Sequence, residues 1–265
     1  MRKFVHIGKP IGEIVYKNKN IVIEKVREGT KKDICYIVGT GYSLSVDDND
    51  LVSQHDPFMD VFSIKTNEEV TVYSFYFRFE SSGLEESSRE LADFINNLNI
   101  DYKDIYLIGQ SKCGICSYNA SHYINKKINL VTISAPFKGT PIADKDSVKK
   151  AKANRFIKGI YKHIFSDHNV DRDIIPNSKF IQELKTPKYE KHINIMTKLN
   201  KSDCKNFADL FLLYMDRILE LNGDGVVPYE SQRIDATTTI DLVSNHATSL
   251  QNGIYELEKL IIQKN

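Results

Sequence analysis

The sequence predicts an α/β protein with a mostly parallel central sheet and helices on both faces. Between residues 70 and 134, short apolar runs alternate with longer segments of helical period, which is typical of strands joined by crossover helices. A glycine-rich corner follows the apolar run at 34–38, and a corner with a serine follows the run at 105–109. In parallel sheets, ligand sites form where strands end. A chain of 265 residues can bury a sizeable core as one domain carrying a small insertion.

The N-terminal part predicts β structure. Residues 13–17 and 21–26 are β-rich runs around a polar turn and predict a hairpin. Residues 34–38 predict a buried strand ending in Gly39-Thr40-Gly41, whose backbone N–H groups can face an anion, with a simple turn as the alternative. Residues 42–69 have no clear period and lack the residue spacing of a calcium loop, so we expect a solvated loop or an insertion.

The middle of the chain predicts strands and helices in alternation. The sequence Ser82-Gly83-Leu84-Glu85 fits a capping box, and apolar residues follow it at helical spacing. The other segments are strands at 70–77, 105–109 and 130–134 and a helix from 112 to about 125. These elements predict a parallel sheet wound with helices.

A single domain spanning residues 1–265 is expected, with a helical cap or lid insertion at about 140–190 and a further helical insertion at about 203–221. Residues 145–165 carry seven Lys or Arg and an apolar stripe. This segment is either a helix docked on the domain with a solvated basic face, or a cap over the site whose basic face meets an anionic substrate or a lipid surface. The segment 207–221 is apolar nearly all round at residues 207–215, which predicts burial or an interface. Further strands at 192–199 and 237–243 precede a terminal helix.

Ser111 stands at an abrupt corner between the strand at 105–109 and the following helix. A serine in this position is typical of a nucleophile elbow, which holds a hydroxyl on a strained backbone. The elbow needs small residues two positions on either side of the serine. Gly109 meets this requirement, whereas Cys113 occupies the other position. An ordinary strand-to-helix connection is the alternative.

A nucleophilic serine needs a base, and the base needs a carboxylate that orients it. In wound sheets of this type the chain order is Ser, acid, His. Among seven histidines, His246 is the predicted base, because it stands between the last strand and the last helix, at the sheet edge that carries Ser111. Asp224, in a glycine-flanked loop, is the predicted acid. Asp224 could instead be an ordinary turn residue, and Asp241, inside the final strand, is the other candidate for the acid.

Six short motifs occur in one order from about residue 34 to the C-terminus. They are Gly39-Thr40-Gly41, residues 109–114, residues 135–144, residues 173–178, residues 222–228 and Asn245-His246. Together they resemble motifs of the α/β-hydrolase lipases, and most of all the bacterial triacylglycerol lipases and related esterases. The resemblance implies an α/β-hydrolase fold.

The same resemblance implies a role for each matched residue. Ser111 would be the nucleophile, His246 the general base and then acid, and Asp224 the orienting carboxylate. The backbone N–H groups of Thr40 and Lys112 would form the oxyanion hole, in which loss of one donor typically costs about 100- to 1000-fold in rate.

Four positions depart from the family's motifs. Val38 stands where a histidine often precedes the first glycine, Phe137 replaces the histidine of a P-H-x-G segment, and Cys113 lies in the elbow. Thr248 stands where some of these lipases have an aspartate that helps to bind calcium. We therefore expect no calcium. No other metal and no cofactor is expected either.

The sequence thus predicts an enzyme that hydrolyses carboxylic (acyl) esters through an acyl-enzyme intermediate. An acyltransferase or a thioesterase with the same three residues is an alternative. A further alternative is an inactive hydrolase fold that serves as an interaction module. Apolar residues of the predicted cap favour a substrate with an acyl or other apolar part, such as a lipid-like ester.

The composition indicates which binding partners and which cellular compartment to expect. A formal net charge of +1 argues against a general attraction to nucleic acid. The four cysteines lack the spacing of a metal site, since Cys113 and Cys116 have no second pair. Free thiols suit a reducing compartment, and no run fits a signal peptide or a bilayer span, so a cytoplasmic location is expected. Transient lipid-surface contact through the basic segment is the other predicted interaction.

Overall fold

A computed structural model describes residues 2–7, 12–31, 33–41, 63–78, 81–99, 102–144, 169–204 and 207–262. The strands in this part are β1 Arg2–His6, β2 Glu13–Lys17, β3 Ile21–Arg27, β4 Ile34–Gly39, β5 Ser63–Asn67, β6 Thr71–Phe77, β7 Asp104–Gln110, β8 Asn129–Ile133, β9 Lys191–Lys198 and β10 Thr238–Val243. The α-helices are α1 Leu84–Asn96, α2 Lys112–Ser121, α3 Asn169–Arg172, α4 Lys179–Gln182, α5 Phe207–Ile218 and α6 Ser249–Ile262.

The central sheet has eight strands in the order β10-β9-β8-β7-β4-β6-β3-β2. The six strands from β10 to β6 are parallel, whereas β3 is antiparallel to β6 and to β2. Both the mostly parallel sheet and the N-terminal hairpin are therefore confirmed. The register aligns Gly39 of β4, Gly109 of β7 and Thr132 of β8. The corners that follow β4 and β7 consequently meet at one edge of the sheet.

Helices cover both faces of this sheet, because its strands are apolar on both sides. Ile37, Leu107 and Leu130 pack with the buried residues of α1 and α2. The next residue of each strand points to the opposite face, where the strand side chains pack against Leu250, Ile254 and Leu257 of α6. Helix α6 is the predicted terminal helix, and these three residues form its core face.

The sequence predicts a solvated loop or an insertion at 42–69, and the loop prediction is wrong at its C-terminal end. Strand β5 lies there and pairs antiparallel with β1 in a separate two-stranded sheet, while residues 42–62 lie outside the described part. Glu258 of α6 holds this pair, since its carboxylate accepts hydrogen bonds from Thr66 Oγ1 at 2.5 Å and from the Asn67 N–H at 3.0 Å and forms an ion pair with Arg2. The strands thus depend on a helix nearly 200 residues away in sequence, which no local pattern reveals.

The predicted capping box at the start of α1 is also wrong. The N-cap residue is Gly83, and the Leu84 N–H donates to Asp173 Oδ2 at 2.6 Å instead. Glu85, which would close the box, accepts hydrogen bonds from Tyr123 at 2.6 Å and from Asn119 at 2.7 Å. A distant carboxylate therefore stabilises the helix N-terminus, where negative charge is favourable.

The two predicted insertions are described only in part. The basic segment at 145–165 lies outside the described residues, and on its C-terminal side the structure has the short helices α3 and α4. Helix α5 corresponds to the second insertion. It buries Met215, but 55% of Leu210 and 42% of Tyr214 remain exposed, so burial is confined to one face. Within the described residues no helix is long and apolar enough to cross a membrane.

Candidate active site

Ser111 occupies the sharp corner between β7 and α2. Its backbone angles are φ 57° and ψ −131°, a region that non-glycine residues rarely adopt and that costs about 1–3 kcal/mol. The Ser111 N–H donates to the carbonyl of Ile133 at 2.9 Å, and the Ser111 carbonyl accepts from the Gly114 N–H at 2.9 Å. The strained corner is therefore held by the adjacent strand on one side and by the new helix on the other.

Close packing around the corner explains which neighbours of Ser111 must be small. A Cβ atom on Gly109 would lie 2.3 Å from the carbonyl oxygen of Cys113, and one on Gly114 would lie 2.6 Å from Cβ of Ala135. The Cys113 side chain itself fits and is fully buried, with its Sγ donating to the carbonyl of Thr40 at 2.8 Å. Burial raises the pKa of the Cys113 thiol, so this cysteine is a neutral donor and a poor nucleophile.

The turn after β4 lies directly against the corner. A Cβ atom on Gly41 would stand 2.5 Å from Cβ and 2.8 Å from Oγ of Ser111, and 3.4 Å from the backbone nitrogen of Lys112. Thr40 is buried, and its carbonyl is the acceptor for Cys113. The structure thus brings Thr40, Gly41, Ser111 and Lys112 together.

Asp224 and His246 form a direct hydrogen bond. The distance between His246 Nδ1 and Asp224 Oδ2 is 2.8 Å, and the His246 N–H also donates to the Asp224 carbonyl at 3.0 Å. Asp224 is fully buried, and its other carboxylate oxygen accepts from the N–H groups of Val226 at 3.0 Å and Val227 at 2.8 Å. Burial alone would raise the pKa of Asp224, but the charge and hydrogen bond of His246 and the two backbone N–H groups outweigh it and lower that pKa.

Gln110 connects this pair to the corner. Its Nε2 donates to the carbonyl of His246 at 2.6 Å and lies 2.8 Å from Oγ of Ser249. Ser111 is the next residue in the chain. The loop that carries His246 is therefore fastened to the end of β7, and the His246 side chain remains about 15% exposed.

Asp241 and two other histidines have different partners. Asp241 is exposed on β10 and accepts a hydrogen bond from the hydroxyl of Tyr229 at 2.5 Å. His192 is buried on β9 with Nε2 at 2.8 Å from Thr132 Oγ1, and His122 lies near the carbonyl of Thr186. Of the two candidate acids, Asp224 is the one that the structure brings to His246.

Comparison with solved structures identifies the architecture. The chain is similar to mature Bacillus licheniformis lipase BlEst2, with a TM-score of 0.53 and 15% identity over 89% of this chain and 93% of that one. It is also similar to Staphylococcus hyicus lipase, with a TM-score of 0.50 and 10% identity over 89% and 96% of the two chains. A metagenomic carboxyl esterase has a TM-score of 0.50 and 11% identity over 90% and 78%. The chain has the α/β-hydrolase fold.

The predicted resemblance to bacterial lipases and esterases is confirmed at the level of this fold. No protein-family model and no curated protein matches the sequence. The likeness therefore lies in the three-dimensional arrangement, because sequence identities of 10–15% leave few positions in common.

At the sheet edge that carries Ser111, the α/β-hydrolase fold brings together further polar side chains that the sequence did not reveal. Thr197 of β9 donates to Asp224 Oδ2 at 2.8 Å, and Gln232 binds the backbone of Thr197. Lys112 forms a buried ion pair with Asp171, with 2.6 Å between Nζ and Oδ1. Nothing local distinguishes Thr197 from the other buried polar residues of β9, His192 and Asn194, and nothing local links Lys112 to Asp171.

In the described part of this α/β-hydrolase fold, no three His, Cys, Asp or Glu side chains cluster in a way that could hold a metal ion.

Proposed function

We propose that the protein is a serine-dependent hydrolase of carboxylic esters that acts as lipases and esterases do. Ser111 is the nucleophile, His246 the general base and then acid, and Asp224 the carboxylate that orients the imidazole. The observation that carries the proposal is one cluster of hydrogen bonds. Through it His246 contacts both Asp224 and Gln110, the residue directly before the strained Ser111.

The reaction follows from these roles. Oγ of Ser111 attacks the ester carbonyl carbon while Nε2 of His246 accepts the hydroxyl proton, and the carbonyl electron pair moves onto oxygen. The tetrahedral intermediate collapses, the C–O bond to the alcohol breaks, and His246 returns the proton to the departing oxygen. Water then attacks the acyl-enzyme with His246 as base, which releases the carboxylic acid and restores Ser111.

The oxyanion donors in this proposal are the backbone N–H groups of Thr40 and Lys112. Two observations support them. Lys112 is the first residue of α2, where the helix dipole favours negative charge. The hydrogen bond from Cys113 to the Thr40 carbonyl fixes the orientation of the Thr40 segment, and Gly41 keeps that segment in contact with Ser111. Fixed donors of this kind stabilise the charge that develops in the transition state.

Covalent labelling tests the nucleophile. A fluorophosphonate probe is expected to label the wild-type protein and to fail with Ser111→Ala. Ser117→Ala is the matched control, because Ser117 is a buried serine on the same helix, and we expect it to be labelled like the wild type. A wild-type protein that resists the probe and cleaves no ester or thioester would instead support an inactive interaction module.

Substrate profiling separates hydrolysis from the related chemistries. Nitrophenyl esters of increasing acyl length, an acyl thioester, and an ester supplied with an added alcohol acceptor should be compared under one set of conditions. We expect the carboxylic acid as the main product and esters to be preferred over thioesters. Preferential transfer of the acyl group to the alcohol would contradict the hydrolase assignment and favour an acyltransferase.

A further inference from the structure

A buried hydrogen-bond chain extends from Asp224 away from His246. Oγ1 of Thr197 lies 2.8 Å from Asp224 Oδ2, the same oxygen that His246 contacts, and Oγ of Ser134 lies 2.5 Å from Thr197 Oγ1. Ser134, Thr197 and Asp224 are all fully buried. Because water does not reach these groups, each depends on its protein partners.

The chemistry of the groups sets the direction of this chain. An ionised carboxylate only accepts hydrogen bonds, so the single hydroxyl proton of Thr197 points to Asp224. Ser134 then donates to Thr197 Oγ1. The Oε1 atom of Gln232 is a weaker competitor for the Thr197 proton, since it lies 3.3 Å away and already accepts the Thr197 N–H at 2.7 Å. Asp224 Oδ2 is therefore held between two donors, Thr197 and His246.

The backbone holds both hydroxyls in place. Ser134 has φ 50°, unusual for a residue with a side chain, and its N–H donates to the carbonyl of Ile195 at 3.0 Å. The side-chain amide of Gln232 accepts the Thr197 N–H at 2.7 Å and donates to the Thr197 carbonyl at 2.9 Å. Such constraints on residues that bear no reacting atom indicate that their position matters.

We propose that Thr197, supported by Ser134, is a positioning residue that acts on His246 through Asp224. This inference rests on the proposed function, in which Asp224 orients the imidazole. The N–H groups of Val226 and Val227 hold Oδ1 of Asp224, and the Thr197 hydroxyl holds Oδ2. Without that hydroxyl, Oδ2 keeps only the His246 proton, and the oxygen that orients the imidazole toward Ser111 is less firmly placed.

The test replaces Thr197 by valine, which keeps the β-branched shape and removes the hydroxyl. We expect kcat for a nitrophenyl ester to fall about 10- to 100-fold, the range for a lost hydrogen bond to a charged group, with little change in KM. Thr197→Ser should restore most of the rate. Thr132→Val is the matched control, because Thr132 is an equally buried threonine whose hydroxyl contacts His192 and Asn194.

A spectroscopic measurement makes the test independent of turnover. The proton shared by His246 Nδ1 and Asp224 is expected to give a low-field ¹H resonance that moves in Thr197→Val and stays in Thr132→Val. Ser134→Ala should shift it by a smaller amount, and this variant serves if Thr197→Val does not fold. An unmoved resonance, or a rate loss equal to that of Thr132→Val, would overturn the positioning role. Failure of the proposed function would instead appear as an unlabelled, inactive wild-type protein, whatever the resonance does.

Discussion

The imidazole of His246 and the carboxylate of Asp224 are joined at two levels. Their side chains form a hydrogen bond of 2.8 Å, and the His246 N–H donates to the Asp224 carbonyl at 3.0 Å. The main-chain bond fixes the spacing of the two loops, and the side-chain bond fixes the ring. With Nδ1 bound to the carboxylate, Nε2 is the ring nitrogen that can accept a proton from another group.

Replacement of Asp224 by asparagine tests this relationship. We expect kcat to fall about 1,000- to 10,000-fold with little change in the free energy of unfolding, because an amide favours the wrong tautomer of the imidazole. Asp241→Asn is the control, since Asp241 is exposed and bonded to Tyr229, and its kcat should stay within about twofold. The measurement is steady-state kinetics of both variants. A larger loss of kcat in Asp241→Asn than in Asp224→Asn would contradict the assignment of Asp224 as the orienting carboxylate.

Replacement of Gly41 by alanine should impair catalysis more than folding. The new methyl group would lie 2.8 Å from Oγ of Ser111, so Ser111 or the turn after β4 must move. Displacing one oxyanion donor costs about 100- to 1000-fold in kcat, and we expect a loss in that range. Fluorophosphonate labelling rates and thermal unfolding should be measured together. A variant that is labelled at the wild-type rate would show that this turn is not part of the site.

The buried ion pair between Lys112 and Asp171 should behave as a unit. Only 7% and 8% of the two side chains are exposed. Removing one partner from a buried pair leaves an uncompensated charge and costs about 3–5 kcal/mol, so Lys112→Met and Asp171→Leu should each lower the free energy of unfolding by such an amount. The double variant Lys112→Met with Asp171→Leu should recover most of the loss. Urea unfolding measures this, and losses that simply add would contradict the coupling.

Stability should depend on pH through His192. Burial lowers the pKa of His192 from 6.5 to about 4. Between these pH values the unfolded chain binds a proton that the folded chain does not, so stability falls as the pH drops, by about 1.4 kcal/mol per unit. From pH 6.5 to pH 5, the wild-type protein should lose about 2 kcal/mol more than His192→Gln, which cannot titrate there. If urea unfolding shows that the wild-type protein and His192→Gln lose the same stability between pH 6.5 and pH 5, this prediction is contradicted.

Much of the fold follows from local patterns. Runs such as residues 105–109 are apolar on both sides, which suits only a strand covered by helices, and the sudden change of period at Ser111 marks a corner. The capping box at residues 82–85 fitted an equally local pattern and was wrong, because Asp173 supplies the acceptor for the Leu84 N–H. Local patterns indicate where an element begins, but not which distant group stabilises its end.

By itself the sequence determined the order of the strands of the central sheet and the corner at Ser111, because backbone propensity and hydrophobic period act over a few neighbouring residues. Only the tertiary structure decided that Asp224 rather than Asp241 lies at hydrogen-bond distance from His246, that Thr197 stands behind that carboxylate, and that Lys112 meets Asp171. These contacts join residues 22 to 59 positions apart. They depend on how parallel strands place their ends along one sheet edge, and on which buried polar groups must find partners there.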